Sequence, residues 1–207
     1  MKAQTSGSII TKLCALIAIV AVILVIYRLY QSSQIADMNS RGGPQPGEPI
    51  LYQVFGISST RPLIITVPKT KARANIESVD YTTHMASGRY NNGSSIGLVQ
   101  IDIETVLPLG NHDEKAYSAI VVLSDGGNAQ RYYLSTFSFD PSTEVVTLVD
   151  SEWIGDSISV DAIESKGDLI RMEVADDSSL SNSMNRVRSV IVAVSDHYQL
   201  STLKNQR

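Results

Sequence analysis

Two hydrophobic patterns divide the chain. Residues 13–27 are apolar without interruption. They leave no polar face for a helix lying in water. Lys12 and Arg28 bracket the run, and their long stems can reach the interfaces. Residues 9–30 are therefore long enough to span about 30 Å of hydrocarbon as a helix. Tyr27 and Tyr30 sit at one end, where amphipathic rings favour the headgroup layer.

Beyond residue 48 the period is two. Val99, Ile101 and Ile103 alternate with Gln100, Asp102 and Glu104, as in a half-buried strand. Residues 117–123 are apolar on both faces, as in a central strand. A turn at 125–128 joins them to a returning strand over 131–139. Residues 50–55 and 63–67 read as short strands, the second an edge strand between Pro62 and Pro68. Residues 88–93 read as a turn. Residues 144–149 lead to Trp153. A hairpin over 157–174 places Ile158, Val160 and Ala162 on one face, turns at Gly167, and returns Ile170, Met172 and Val174 to the core. Residues 176–185 form a polar loop, 187–194 a central strand and 198–203 a last strand. Helical spacing after residue 30 recurs only around 71–79. The expected fold is all-β, an antiparallel sheet, sandwich or open barrel of roughly seven to ten strands. One N-terminal transmembrane α-helix precedes it.

The domain reading follows. Residues 1–8 are a short cytoplasmic tail and 9–30 the transmembrane helix. Residues 31–48 form a stalk rich in Gly and Pro, and 49–207 the extracytoplasmic β-domain. The apolar run ends in Tyr27, Arg28, Leu29 and Tyr30, without the small-residue site of a cleaved signal peptide, so the anchor stays attached. Cys14 stands near the start of the run rather than at its end, so it reads as a packing residue and not a lipid-bearing one. Lys2, Lys12 and the amino terminus outnumber Arg28 and Arg41, which places the N-terminus in the cytoplasm and the body outside.

Composition narrows the function. With 43% hydrophobic and 18% charged residues the 207-residue chain is not disordered. One cysteine excludes a disulfide framework and a cysteine-based zinc site. All 21 acidic residues follow residue 36, whereas three of the 17 basic ones precede residue 31. The body therefore carries fourteen bases against 21 acids, a formal −7. Such a surface is unsuited to a phosphate backbone, so no nucleic acid is expected. Lys69, Lys71 and Arg73 form one basic cluster, read as a solvated loop or edge strand.

Residues 116–174 resemble a domain of uncharacterised bacterial membrane-anchored proteins and lipoproteins that lies outside the cytoplasmic membrane. Ala119 to Leu123, a Gly-containing turn, and Tyr132 to Thr136 resemble that family's strand, turn and strand. Trp153, Ile154, Gly155 and Asp156 resemble its Gly-Asp signature, and the hairpin around Gly167 resembles the one that follows. Gly110 to Glu114 lacks the acidic spacing a calcium loop needs, and the Cys pair of some members is absent. The resemblance implies an exported β-domain held on the membrane, and no enzymatic activity.

The sharpest local signal is the corner of Asp150, Glu152, Trp153, Gly155 and Asp156. Gly155 suits a bulge or close approach, and Asp156 suits a turn cap. The three carboxylates around one Trp suit a cation or a basic partner. Asp102 and Glu104 lie about 7 Å apart on one strand face and resemble a glycosidase pair only in spacing. His84, His112 and His197 fall in or beside polar loops. Asn92, Gly93 and Ser94 match a glycosylation sequon but read as a turn, and Asp176 and Asp177 as a solvated loop. No nucleophile elbow or nucleotide-binding motif occurs, so no catalytic, cofactor or metal residue is assigned. The expected function is a non-enzymatic binding or structural module at the cell envelope. Its partners are the lipid bilayer, through residues 9–30, and an envelope protein or peptide. The alternative is an envelope hydrolase or modifying enzyme using a loop His/Asp pair.

Overall fold

The computed structural model describes residues 47–93, 95–109, 116–126, 130–176 and 187–203. The tail, the expected span and residues 31–46 of the stalk lie outside the described residues, as do Cys14, Ser94, His112 and Asp177. Among the described residues no helix is long and apolar enough to cross a membrane. They belong to one unit, Gly47–Arg207.

The unit is built mainly of antiparallel strands. In chain order they are α1 (Ile50–Phe55), β1 (Leu63–Thr66), β2 (Arg73–Ile76), β3 (Ser78–Asp80), β4 (Met85–Asn91), β5 (Ile96–Leu109), β6 (Ala116–Ser124), β7 (Gln130–Asp140), β8 (Val145–Asp156), β9 (Ile158–Lys166), β10 (Leu169–Asp176), β11 (Val187–Val194) and β12 (Leu200–Thr202). Strands β3 to β8 form a six-stranded sheet in sequence order; β12-β11-β10-β9 form a second sheet, and β1-β2 a third.

The central sheet is buried on both faces because its middle strands are apolar on both. Ala119, Val121 and Leu123 of β6 join Tyr133, Phe137 and Phe139 of β7 in one core, with Leu51, Val54 and Phe55 of α1 and Leu63 and Ile65 of β1. Phe55 packs tilted on Tyr117 and Phe137, with ring centres 5.1 and 5.2 Å apart. Ile120 and Val122 point the other way. They join Leu134, Ile154, Ile170, Met172, Val174 and Val192 in a second core beneath the four-stranded sheet. The expected central strand over 117–123 and the core positions Ile170, Met172 and Val174 are as read from the period.

Four expectations are corrected. Residues 50–55 are a helix, not a strand. Leu51, Val54 and Phe55 at helical spacing bury one face, and Gly56 ends it at φ 68° with its N–H on the Tyr52 carbonyl at 2.9 Å. Residues 71–79 are not helical but hold β2 and β3, with Ala74 and Ile76 buried by alternation. Residues 88–91 continue β4 rather than turning. In β9 the pairing shifts between Glu173 and Val174, which leaves Asp161 as an extra residue. Ile163, not Ala162, therefore faces the second core.

Gly88 explains how β2 crosses β4. A Cβ there would stand 2.2 Å from the Asn75 carbonyl oxygen and 2.8 Å from its carbon. The obstacle is backbone, so no rotamer can relieve it. Gly88→Ala should cost about 3 kcal/mol by overpacking, measured by denaturant melting of the variant against wild type.

Candidate functional site

Two turns share one device. Asp140 Oδ1 accepts the Ser142 N–H at 2.8 Å and its hydroxyl at 2.7 Å, and Oδ2 accepts the Thr143 hydroxyl at 2.9 Å. These bonds, led by the Ser142 hydroxyl, hold the Asp140 carboxyl below the usual range. Asp80 does the same with the amides of Thr82 and Thr83, and its carboxyl is likewise lowered, first by the Thr82 amide. Each turn ends on a left-handed residue, Glu144 at φ 56° and His84 at φ 55°. The signal Asp, any residue, Ser or Thr, Thr occurs at both places, and sequence reasoning passed over it.

The first turn carries Glu144 into an open groove of about 530 Å³. Its walls are Glu48, Pro49 and Tyr52 at the start of α1, Ser58, Ser59 and Thr60 in the loop that follows α1, and Glu144. Ser59 is buried and fixes the far wall. Its hydroxyl donates to Glu144 Oε2 at 2.9 Å and accepts the Arg61 N–H at 3.1 Å. On the near side Gln53 donates to the Glu48 carbonyl and accepts from the Tyr81 hydroxyl at 2.6 Å. Burial, then the Glu48 charge, raise the Tyr81 hydroxyl. None of these groove residues stood among the sequence candidates.

The corner candidates do not converge on one point. Asp150 Oδ1 accepts the Ser151 N–H and Oδ2 the Leu200 N–H, both at 2.8 Å. Glu152 Oε1 accepts the Thr202 hydroxyl at 2.7 Å. With Thr136 donating to the Tyr198 carbonyl at 2.7 Å, these bonds tie the segment around β12 to the central sheet. Asp156 accepts the indole N–H of Trp153 at 3.1 Å, and Trp153 is 53% exposed. Gly155 does not need a positive φ; the left-handed residue is Ser157, at φ 50°. Gly155 instead follows a bulge, because the β7–β8 pairing shifts between Tyr132 and Tyr133 and leaves Ile154 as an extra residue, and it is a close approach, with a Cβ there 2.9 Å from Ile158 Cγ2 and 3.1 Å from Arg188 Nη2. Among the described residues no group of three His, Cys, Asp or Glu is placed to hold a metal ion.

The second turn brings His84 to Glu104, with Nδ1 3.2 Å from Oε1. Here β5 leaves its ladder: Asp102 pairs with Ile120 and Leu107 with Ser118. Thr105 closes the bulge, accepting the Ile120 N–H at 2.9 Å and donating to the Asp102 carbonyl at 2.8 Å. Burial pushes the Asp102 carboxyl up, opposed by the Glu104 N–H that it accepts. His197 lies apart, exposed in the turn before β12. Elsewhere, Tyr90 donates to Asp125, which also pairs with Arg131. Burial, then Asp125, push the Tyr90 hydroxyl up to about 12, so it stays a donor.

No family model matches the chain, and no curated protein or solved structure matches it either.

Two measurements check these assignments. Asp150→Ala should strand the Leu200 amide and cost about 1–3 kcal/mol, with faster hydrogen exchange at Leu200. Asp156→Asn should leave melting nearly unchanged, because an amide oxygen still accepts the indole N–H. The pH dependence has a definite sign. A carboxyl raised by folding binds its proton more tightly in the native state. The Asp102 contribution is thus present below the ordinary carboxyl range and lost as pH rises through the raised value. Asp102→Asn should melt above wild type at neutral pH, with the gap closing on acidification; a gap that widens in acid refutes the assignment.

Proposed function

We propose that the protein is a single-pass membrane-anchored binding module whose exported β-domain engages a protein or peptide of the cell envelope. Residues 9–30 would be the anchor and the N-terminus cytoplasmic. The resemblance of residues 116–174 to exported, membrane-held β-domains supports this placement. The observation that carries the binding reading is the groove between α1 and the turn at Glu144. Its volume suits a small ligand or a few peptide residues. It combines a Pro and a Tyr surface with carboxylates and hydroxyls, and Ser59 orders one of those carboxylates before any ligand arrives.

A second reading, an envelope hydrolase, draws on the approach of His84 to Glu104 beside Asp102. None of these residues lines the groove on which the binding reading rests. The binding reading is therefore preferred.

The test has two parts. Alkaline carbonate should leave the full-length protein in the membrane fraction, and protease outside spheroplasts should degrade the body. A photo-crosslinker at Thr60, in intact cells, should then capture a protein partner, while one at Glu164 should not. A soluble protein with a mature N-terminus near residue 33 would overturn the anchor. Equal capture from both positions would overturn the groove.

A further inference from the structure

We infer that Asn92 is a site of spontaneous covalent modification, deamidation by the Gly93 backbone nitrogen, and that the hydrogen bonds of the β4–β5 turn set its rate. Asn92 is the only asparagine in the chain that is followed by glycine. A side chain on the following residue would crowd the attacking nitrogen. Gly93 has none, and the place its Cβ would take is open, with nothing within 4 Å. Both residues are exposed, so water and hydroxide reach them.

In the first step the Gly93 amide gives its proton to solvent base. Its nitrogen forms a bond to Asn92 Cγ, the Cγ–Nδ2 bond breaks, and Nδ2 takes up a proton and leaves as ammonia. One water molecule then opens the five-membered imide. Addition at Cγ gives aspartate, and addition at the main-chain carbonyl gives isoaspartate. No atom is oxidised or reduced. The folded turn opposes the first step at both reacting groups. The Gly93 N–H donates to Asn91 Oδ1 at 2.8 Å, and that bond is lost with the proton. Asn92 Oδ1 accepts the Ser95 N–H at 2.9 Å and the Ser95 hydroxyl at 3.3 Å, while the Asn92 N–H donates to the Ser95 carbonyl at 3.2 Å. Donors on a carbonyl oxygen can assist attack, but only when aimed at the oxygen of the transition state. These are aimed at the resting amide, so they stabilise the reactant and slow the reaction. The two products differ in their fit. Aspartate keeps the Ser95 bonds with a charged, stronger acceptor. Isoaspartate routes the main chain through Cγ, adds a methylene to the turn, and disturbs the adjoining pair of Asn91 with Ile96.

The experiment holds the full-length chain in a non-ionic detergent, in mildly alkaline buffer at physiological temperature. Peptide mass spectrometry should find the amide-to-acid mass gain at Asn92 before any other asparagine, and an isoaspartate methyltransferase should label the same peptide. The rate should rise with pH, because the nitrogen reacts without its proton. Asn91→Ala removes the acceptor of the Gly93 N–H, and Ser95→Ala removes one donor to Asn92 Oδ1. Each should speed conversion about two- to tenfold, the scale of one neutral hydrogen bond. Urea, which releases all of these bonds, should speed it further. Asn92→Gln, whose longer side chain cannot close a five-membered ring, should abolish the signal. Circular dichroism of each variant shows whether the sheet is retained. Another asparagine converting first, or no conversion of the folded chain under conditions that convert it in urea, would overturn the site. Rates equal to wild type in both Asn91→Ala and Ser95→Ala, with both folded, would overturn the control by the turn.

Discussion

Strands β6 and β7 place apolar side chains on both faces, and the rest of the architecture answers that constraint. A sheet with one apolar face needs one cover, and this sheet needs two. The first cover is α1 with the β1-β2 hairpin, made before the sheet begins. The second is the four-stranded sheet, made after it ends. The chain therefore crosses from one face to the other by running through the sheet itself. Two close approaches make this passage. At Gly88 the backbone of β2 lies directly on β4, and at Gly155 the exit from β8 lies against Ile158 of the second cover. Ser157 then turns the chain at positive φ, with its N–H on the Gln130 carbonyl at 2.8 Å. Asp150 and Glu152 fasten the far edge of the same cover. The Asp150 and Glu152 carboxylates of the corner thus serve the joint between two sheets.

A sheet buried on both faces has few side chains to spare, so exposed chemistry falls to its turns. The two Asp-led turns show how. Each pins its own backbone through a carboxylate and leaves its last residue left-handed. That conformation costs a non-glycine residue about 1–2 kcal/mol, and glycine would adopt it with no steric penalty. The chain nevertheless places His84 at one such position and Glu144 at the other. Both side chains are engaged, His84 with Glu104 and Glu144 with Ser59. The local cost is offset by a bond that reaches another element, which is the pattern expected where a side chain's position matters more than its backbone's ease.

What the sequence revealed follows from the range of the interactions involved. Periodicity is local, so β5, β6, β7, β10 and β11 were legible from residues such as Ile101, Val121 and Met172. Residues 50–55 were not, because a six-residue apolar run fits a helix or a strand and only its docking on Tyr117 and Phe137 decides. Gly88 misled for a similar reason: a glycine that serves a backbone crossing looks locally like a turn residue. At the corner the carboxylates have partners that sequence proximity does not indicate. The three carboxylates are neighbours in sequence, but Asp150 and Glu152 bond to residues 50 positions away. The groove was invisible because Ser59 and Glu144 lie 85 positions apart. Only the repeated Asp turn gave a local sign of it.

Scale separates the roles of the charges. The formal −7 of residues 31–207 acts through solvent, where salt screens exposed charges beyond about 8–10 Å. It can raise the encounter rate of a basic partner and keep the domain soluble, but it carries no selectivity between one basic residue and another. Within the groove the relevant distances are those of hydrogen bonds, and screening is weak over them. There Ser59 decides more than net charge does, because its buried hydroxyl donates to the Glu144 carboxylate. A carboxylate on a free turn would have to lose side-chain entropy on binding, whereas this one has already lost it on folding. Net charge is thus a property of the whole body, while the position of Glu144 is set locally, by Ser59 and the Asp140 turn.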